Sequence, residues 1–177
     1  MPPHALTWDL SAIPAVIIGG TALHFGWQLL GRRRVVAVVC PVNESVWEHL
    51  KMAYWPVLAV TLIQLVAGSG TAELVGARAI GAVTMCALII GLYYITAALL
   101  PHMSMRARLS VDGTVFVVAV IAGQLMCHLL LAPLSGLPAA VAALLMALPA
   151  LVLTITTFAP PQTALFEDQV RGGYGPV

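Results

Sequence analysis

The sequence predicts an all-α integral membrane bundle of five transmembrane helices, a single membrane domain over residues 1–177. Three observations predict it. The chain is 60% hydrophobic and only 8% charged, with mean hydropathy +0.98, whereas soluble domains carry about 25% charged residues. Its few charges leave long intervals free of any. Its arginines gather in alternate connections. Such a chain cannot cover itself with a polar surface, so its principal partner is the lipid bilayer.

The charge-free intervals are 10–31, 52–72, 79–105 and 113–166. A spanning helix needs about 20 residues. The last interval holds two, split by Pro133, Gly136 and Pro138. The expected spans are 10–31, 45–67, 77–100, 112–132 and 137–158, followed by a tail over 159–177. The N-terminus lacks the positive n-region of a signal peptide, so the first stretch reads as a retained span. No soluble domain fits between spans, and no internal repeat is evident.

Orientation follows from Lys and Arg in short loops. Arg32, Arg33 and Arg34 lie between spans one and two, and Arg106 and Arg108 between spans three and four. Only Arg78, close to Glu73, is expected among the opposite loops. The reading is a multi-pass cell-membrane protein, N-terminus outside and C-terminus cytoplasmic. Trp8, Trp27, Trp47 and Trp55 fall in or near span ends, where aromatic belts form.

Eight basic and seven acidic residues nearly cancel, with no basic stripe to recognise nucleic acid. Cys40, Cys86 and Cys127 show no metal-knuckle or disulfide spacing and read as buried, unpaired thiols. Serine-hydrolase, P-loop and dinucleotide fingerprints are absent from the sequence.

Residues 41–51, Pro-Val-Asn-Glu-Ser-Val-Trp-Glu-His-Leu-Lys, hold the densest charge in the chain. Ionisable groups near hydrocarbon are costly and mark function by default. Asn43 is the expected N-cap of span two and Glu44 its first residue, at the positive end of the helix dipole. Glu44 and Glu48, four apart, then share a face and repel unless a proton, a cation or Lys51 lies between them. Helical rise sets the depth of the other polar residues. It places His24, Glu44, Glu48, His49, Tyr93, Tyr94, His102 and Asp112 in the inner third of the bundle. His128 falls near the outer face and reads as structural. The ligand-binding candidates are His24, Glu44, Glu48, His49, Tyr93, Tyr94 and Asp112, with Glu48 and His49 also the acid/base candidates. A divalent metal is the one cofactor class these residues suggest, with His24, Glu48 and His49 as ligands. Neighbours Glu48 and His49 diverge by about 100° around a helix and share an ion only with help from another helix. Gly20, His24, Gln28 and Gly31 fall near one face of span one, where small residues let helices approach.

The segment 41–51 resembles the hallmark of a family of small bacterial integral membrane proteins classed as a domain of unknown function. His24 in the first span, Tyr93-Tyr94 in the third, Leu165-Phe166-Glu167-Asp168 and Gly173-Tyr174-Gly175 extend the resemblance over nearly the whole chain. It implies a five-span bundle with a shared site at the motif, and it brings no particular activity with it.

Three functions compete. A binding protein for a small molecule or ion is supported by the intramembrane polar cluster. An inner-leaflet enzyme uses Glu48 and His49 as acid/base or metal ligands, with the tail as a lid. A structural or assembly subunit uses the motif only to fix the first hairpin. Oligomeric state is open.

Overall fold

The computed structural model describes residues 3–176. Its helices are α1 (Pro3–Leu29), α2 (Arg34–Ala37), α3 (Val46–Val66), α4 (Ala72–Leu99), α5 (Met105–Leu130) and α6 (Ala139–Phe158). All except the short α2 are long and apolar enough to cross a membrane. The fold is all-helical, as the composition predicts. In hydrocarbon a helix satisfies every backbone polar group within itself. The side chain of Trp8 lies outside the described residues.

Hydroxyl caps set the starts of three spans. Ser45, Thr71 and Ser104 accept hydrogen bonds from the backbone N–H groups of Glu48, Leu74 and Ala107. Each cap satisfies a first-turn donor. All three helices therefore begin before their charge-free intervals, and α4 and α5 also before their expected spans. The helix α4 takes in Glu73 and Arg78, and α5 takes in Arg106, Arg108 and Asp112. Arg78 is thus not a loop residue. It is fully buried in α4, and its guanidinium donates to Gln124 of α5.

Short connections make successive spans antiparallel. The last turns of α1, α4 and α6 and the first turns of α3 and α5 share one end of the bundle, here the arginine end. It carries Arg32–Arg34, Arg106 and Arg108. The helix α3 packs on α1, α4 and α6, while α5 packs on α4 and α1. Leu50, Ala53, Tyr54, Val57, Ala82, Met85, Ala119 and Val120 form the centre. The Tyr54 hydroxyl donates to the Met146 carbonyl of α6.

Two close approaches need glycine. A Cβ on Gly20 would run into the Met52 carbonyl oxygen. One on Gly81 would stand 2.6 Å from that of Gly123. Gly20 therefore faces α3, as its place near His24 suggests, whereas Gln28 and Gly31 are exposed.

The tail folds back over the arginine end. The Trp47 backbone N–H donates to the Leu165 carbonyl at 3.1 Å. The Trp47 ring lies 4.6 Å from that of Phe166. An isolated antiparallel bridge joins Glu167 to Tyr174.

Candidate functional site

The start of α3 is built differently from its expected form. Ser45, not Asn43, is the N-cap. Asn43 accepts the Ser45 N–H at 2.9 Å and donates to the Gly175 carbonyl at 3.0 Å, tying the tail to the motif. Glu44 precedes the cap and is exposed. It shares no helical face with Glu48, and the expected repulsion between them does not arise.

Glu48 stands three residues after the cap, where a capping-box carboxylate turns back. Since Asn43 already holds the Ser45 N–H, Glu48 Oε2 accepts from the Val42 N–H at 3.0 Å and from Lys51 Nζ at 2.7 Å. Its Oε1 accepts from the Thr157 hydroxyl of α6 at 3.0 Å. Lys51 Nζ also donates to the carbonyls of Ala37 at 2.7 Å and Cys40 at 3.3 Å. Both side chains are buried. Both carboxylate oxygens and the ammonium are engaged within the protein, and Glu48 is not in the group of ligand atoms that converges beside it. Its geometry ties the 34–42 segment, α3 and α6 together. Beside it, burial pushes the Cys40 thiol up, and Cys40, Cys86 and Cys127 are all free.

His49 points the other way. Its Nδ1 lies 2.7 Å from the Ser45 carbonyl oxygen. A carbonyl only accepts, so Nδ1 carries the proton. His49 Nε2 faces Glu44 Oε2 at 3.4 Å. The His24 ring of α1 lies 5.3 Å from that of His49, tilted by 35°. His24 Nδ1 is buried without a hydrogen-bond partner. One ligand atom from each of His24, Glu44 and His49 lies within 4.8 Å of the others. The hydrogen bond to His49 holds the Glu44 carboxyl below the usual carboxylate range, against the opposing effect of burial.

The other expected members do not join this group. Tyr93 packs its ring under Arg108, 4.2 Å from ring centre to guanidinium carbon. Arg108 Nε donates to Asp112 at 3.1 Å. This is a separate cluster between α4 and α5. Tyr94 is exposed and touches Tyr93 edge-on. His102 is exposed in the α4–α5 loop. His128 sits in the last turn of α5, at the opposite end.

Residues 2–176 match the family of unknown function DUF6512. The chain belongs to that family. No curated protein and no solved structure matches it.

Sequence reasoning named Glu44 among the binding candidates of this DUF6512 chain but put Glu48 in the metal set, and it missed Thr157. Glu44, rather than Glu48, is the carboxylate beside the two histidines. The Ser45-x-x-Glu48 spacing carries that signal, because a capping box makes Ser45 the cap and leaves Glu44 outside the helix. Thr157, which completes the Glu48 network, has no local signal at all, since it arrives from another helix. Chemically, the site offers two imidazoles and one carboxylate beside the end of an apolar bundle. Two of those groups come from the motif and one from α1.

Proposed function

We propose that the protein binds a divalent transition-metal ion at a three-ligand site made by His24, Glu44 and His49. The site lies on the cytoplasmic side of the cell membrane, where the positive-inside rule puts the arginine end. One observation carries the reading. With Nδ1 donating to Ser45, His49 turns Nε2 on the Glu44 carboxylate, and a cation, either a proton or a metal ion, joins the two. An Nδ1–H donated to a backbone carbonyl is also the outer-shell arrangement that orients metal-binding histidines. The 3.4 Å between His49 Nε2 and Glu44 Oε2 suits two ligands each about 2.1 Å from one tetrahedral ion. His24, with a ligand atom within 4.8 Å of both, completes the set.

Two imidazoles and a carboxylate suit Zn²⁺ or Fe²⁺ better than the oxygen-seeking Mg²⁺ or Ca²⁺. Three protein ligands leave a coordination position for water or an exchangeable group. The reading therefore supports binding of an ion, in a site open to exchange. It assigns no turnover.

Metal analysis of the full chain purified in neutral detergent, followed by titration with Zn²⁺ and Fe²⁺, tests the proposal. About one ion per chain is expected, lost in His24→Ala and His49→Ala. Metal uptake no greater than that of a His24→Ala/His49→Ala double variant would overturn it. A shared proton would then be left to join Glu44 to His49.

A further inference from the structure

A second feature of the arginine end lies apart from the metal candidates. A cleft of about 850 Å³ opens between the end of α1, the 32–37 segment, the end of α6 and the tail. Its lining is Trp27, Arg32, Arg34, Ala37, Phe158 and Pro176. Among the described residues, two guanidinium-bearing side chains and no carboxylate line it, and neither Arg32 nor Arg34 forms an ion pair.

The walls fix the class of anion. Guanidinium forks match phosphate oxygens in paired, charge-assisted hydrogen bonds. Trp27 and Phe158 provide apolar wall beside them. Phe158 is the last residue of α6, and Trp27 lies in the last turn of α1. Those positions put the cleft where the apolar spans end and headgroups begin. The volume exceeds what an isolated phosphate fills and falls in the range of small-molecule sites.

The backbone singles out one of these residues. Arg32 has φ +55°, and it is the only non-glycine residue among those described with positive φ. Glycine adopts that conformation without strain, and a bulky side chain rarely does. Gly31 precedes it with φ +74°. The Arg32 N–H donates to the Trp27 carbonyl at 3.0 Å, closing the end of α1 as a Schellman turn does. That turn sets Arg32 at the same cleft as the aromatic ring.

We propose that this cleft binds the phosphate of an anionic phospholipid headgroup, with Arg32 and Arg34 on the phosphate and Trp27 and Phe158 against the adjoining glycerol and first methylenes. Basic pockets between spanning helices on the cytoplasmic side recognise anionic headgroups in this way.

Arg33 supplies the control. It is exposed, carries the same charge in the same loop, and does not line the cleft. Any effect of bulk charge or of topology is shared by all three arginines. Recognition in the cleft is shared by two. The test titrates the full chain in neutral detergent with short-chain phosphatidylglycerol, short-chain phosphatidylcholine and inorganic phosphate. Tryptophan fluorescence and the thermal midpoint are the readouts. Phosphatidylglycerol should saturate and phosphatidylcholine should not, because its choline cation meets the same arginines. Arg32→Gln and Arg34→Gln should each weaken the apparent affinity by about tenfold or more, the size of one lost charge-assisted hydrogen bond. Arg33→Gln should leave the affinity nearly unchanged. Arg32→Gly removes the guanidinium while relieving the backbone, so it keeps the test decisive if Arg32→Gln folds poorly.

Saturation by phosphatidylglycerol alone supports a lipid source for the phosphate. Saturation by inorganic phosphate as well, with the same dependence on Arg32 and Arg34, supports the phosphate chemistry with a soluble source. Equal weakening in all three arginine variants would overturn the proposal. So would an equal response to the two lipids without any response to phosphate.

Discussion

Glu48 and Lys51 form a buried ion pair at the start of α3, with Oε2 and Nζ 2.7 Å apart. The pair bonds outward to Val42, Ala37 and Cys40 on the linker and to Thr157 on α6. It therefore fastens three separate parts of the arginine end.

Breaking this pair should cost stability more than binding. Removing one partner of a buried, hydrogen-bonded pair leaves an uncompensated charge, worth about 3–5 kcal/mol. Glu48→Ala and Lys51→Ala should each lower unfolding stability in detergent by about that amount. A Glu48→Leu/Lys51→Met double variant should lose less than either single variant, since no charge remains unpaired. A Glu48→Ala protein as stable as the parent would contradict the structural role.

The histidines should behave in the opposite sense. His24 and His49 are only partly buried, and no helix cap depends on either imidazole. His24→Ala and His49→Ala should leave the thermal midpoint within a few degrees of the parent while metal binding disappears. Glu44→Gln should also lose stoichiometric binding, because it removes the one anionic ligand of the three. Equilibrium dialysis against Zn²⁺ separates these outcomes.

Glycine contacts predict a sharp contrast along the helices. Gly20→Ala and Gly123→Ala each drive a methyl group into a neighbour, against the Met52 carbonyl in the first and against Met85 and the Gly81 carbonyl in the second. Each should destabilise by about 1–3 kcal/mol, the usual cost of overpacking. Gly113, in α5, has open space where its Cβ would stand. Gly113→Ala should be neutral or stabilising by up to about 1 kcal/mol, because alanine is the better helix former. Chemical denaturation in mixed micelles provides the comparison.

Orientation is testable by thiol labelling. Cys40 and Cys127 are buried and Cys86 is partly buried, so background reaction with an impermeant maleimide should be low. Ser69→Cys and Ser135→Cys, in exposed connections at the end opposite the arginines, should label on intact cells. His102→Cys, exposed at the arginine end, should label only after permeabilisation. The reverse pattern would turn the topology over, and both proposed sites with it.

Much of this architecture is local information. Five helices follow from five apolar stretches, because a chain in lipid has no other way to satisfy its backbone over such lengths. The motif at 41–51 marks the polar end from charge density alone. His24 and His49 meet as their matched depths suggest, since an antiparallel hairpin brings residues of equal depth side by side.

What the sequence by itself determined is the class of fold, its helical segments and the end where polar chemistry gathers. All three depend on composition within stretches of about one helix length, which is the range over which hydropathy and helical rise act. The tertiary structure decided which carboxylate does what. Glu48 is withdrawn into an ion pair because Lys51, a linker and Thr157 from a distant helix surround it. Glu44 stands beside the histidines because the cap falls one residue after it. The separation of Tyr93 and Asp112 from that group was settled the same way, by Arg108 lying across both. Partners that arrive from other helices leave no periodic mark in the sequence, and only packing reveals them.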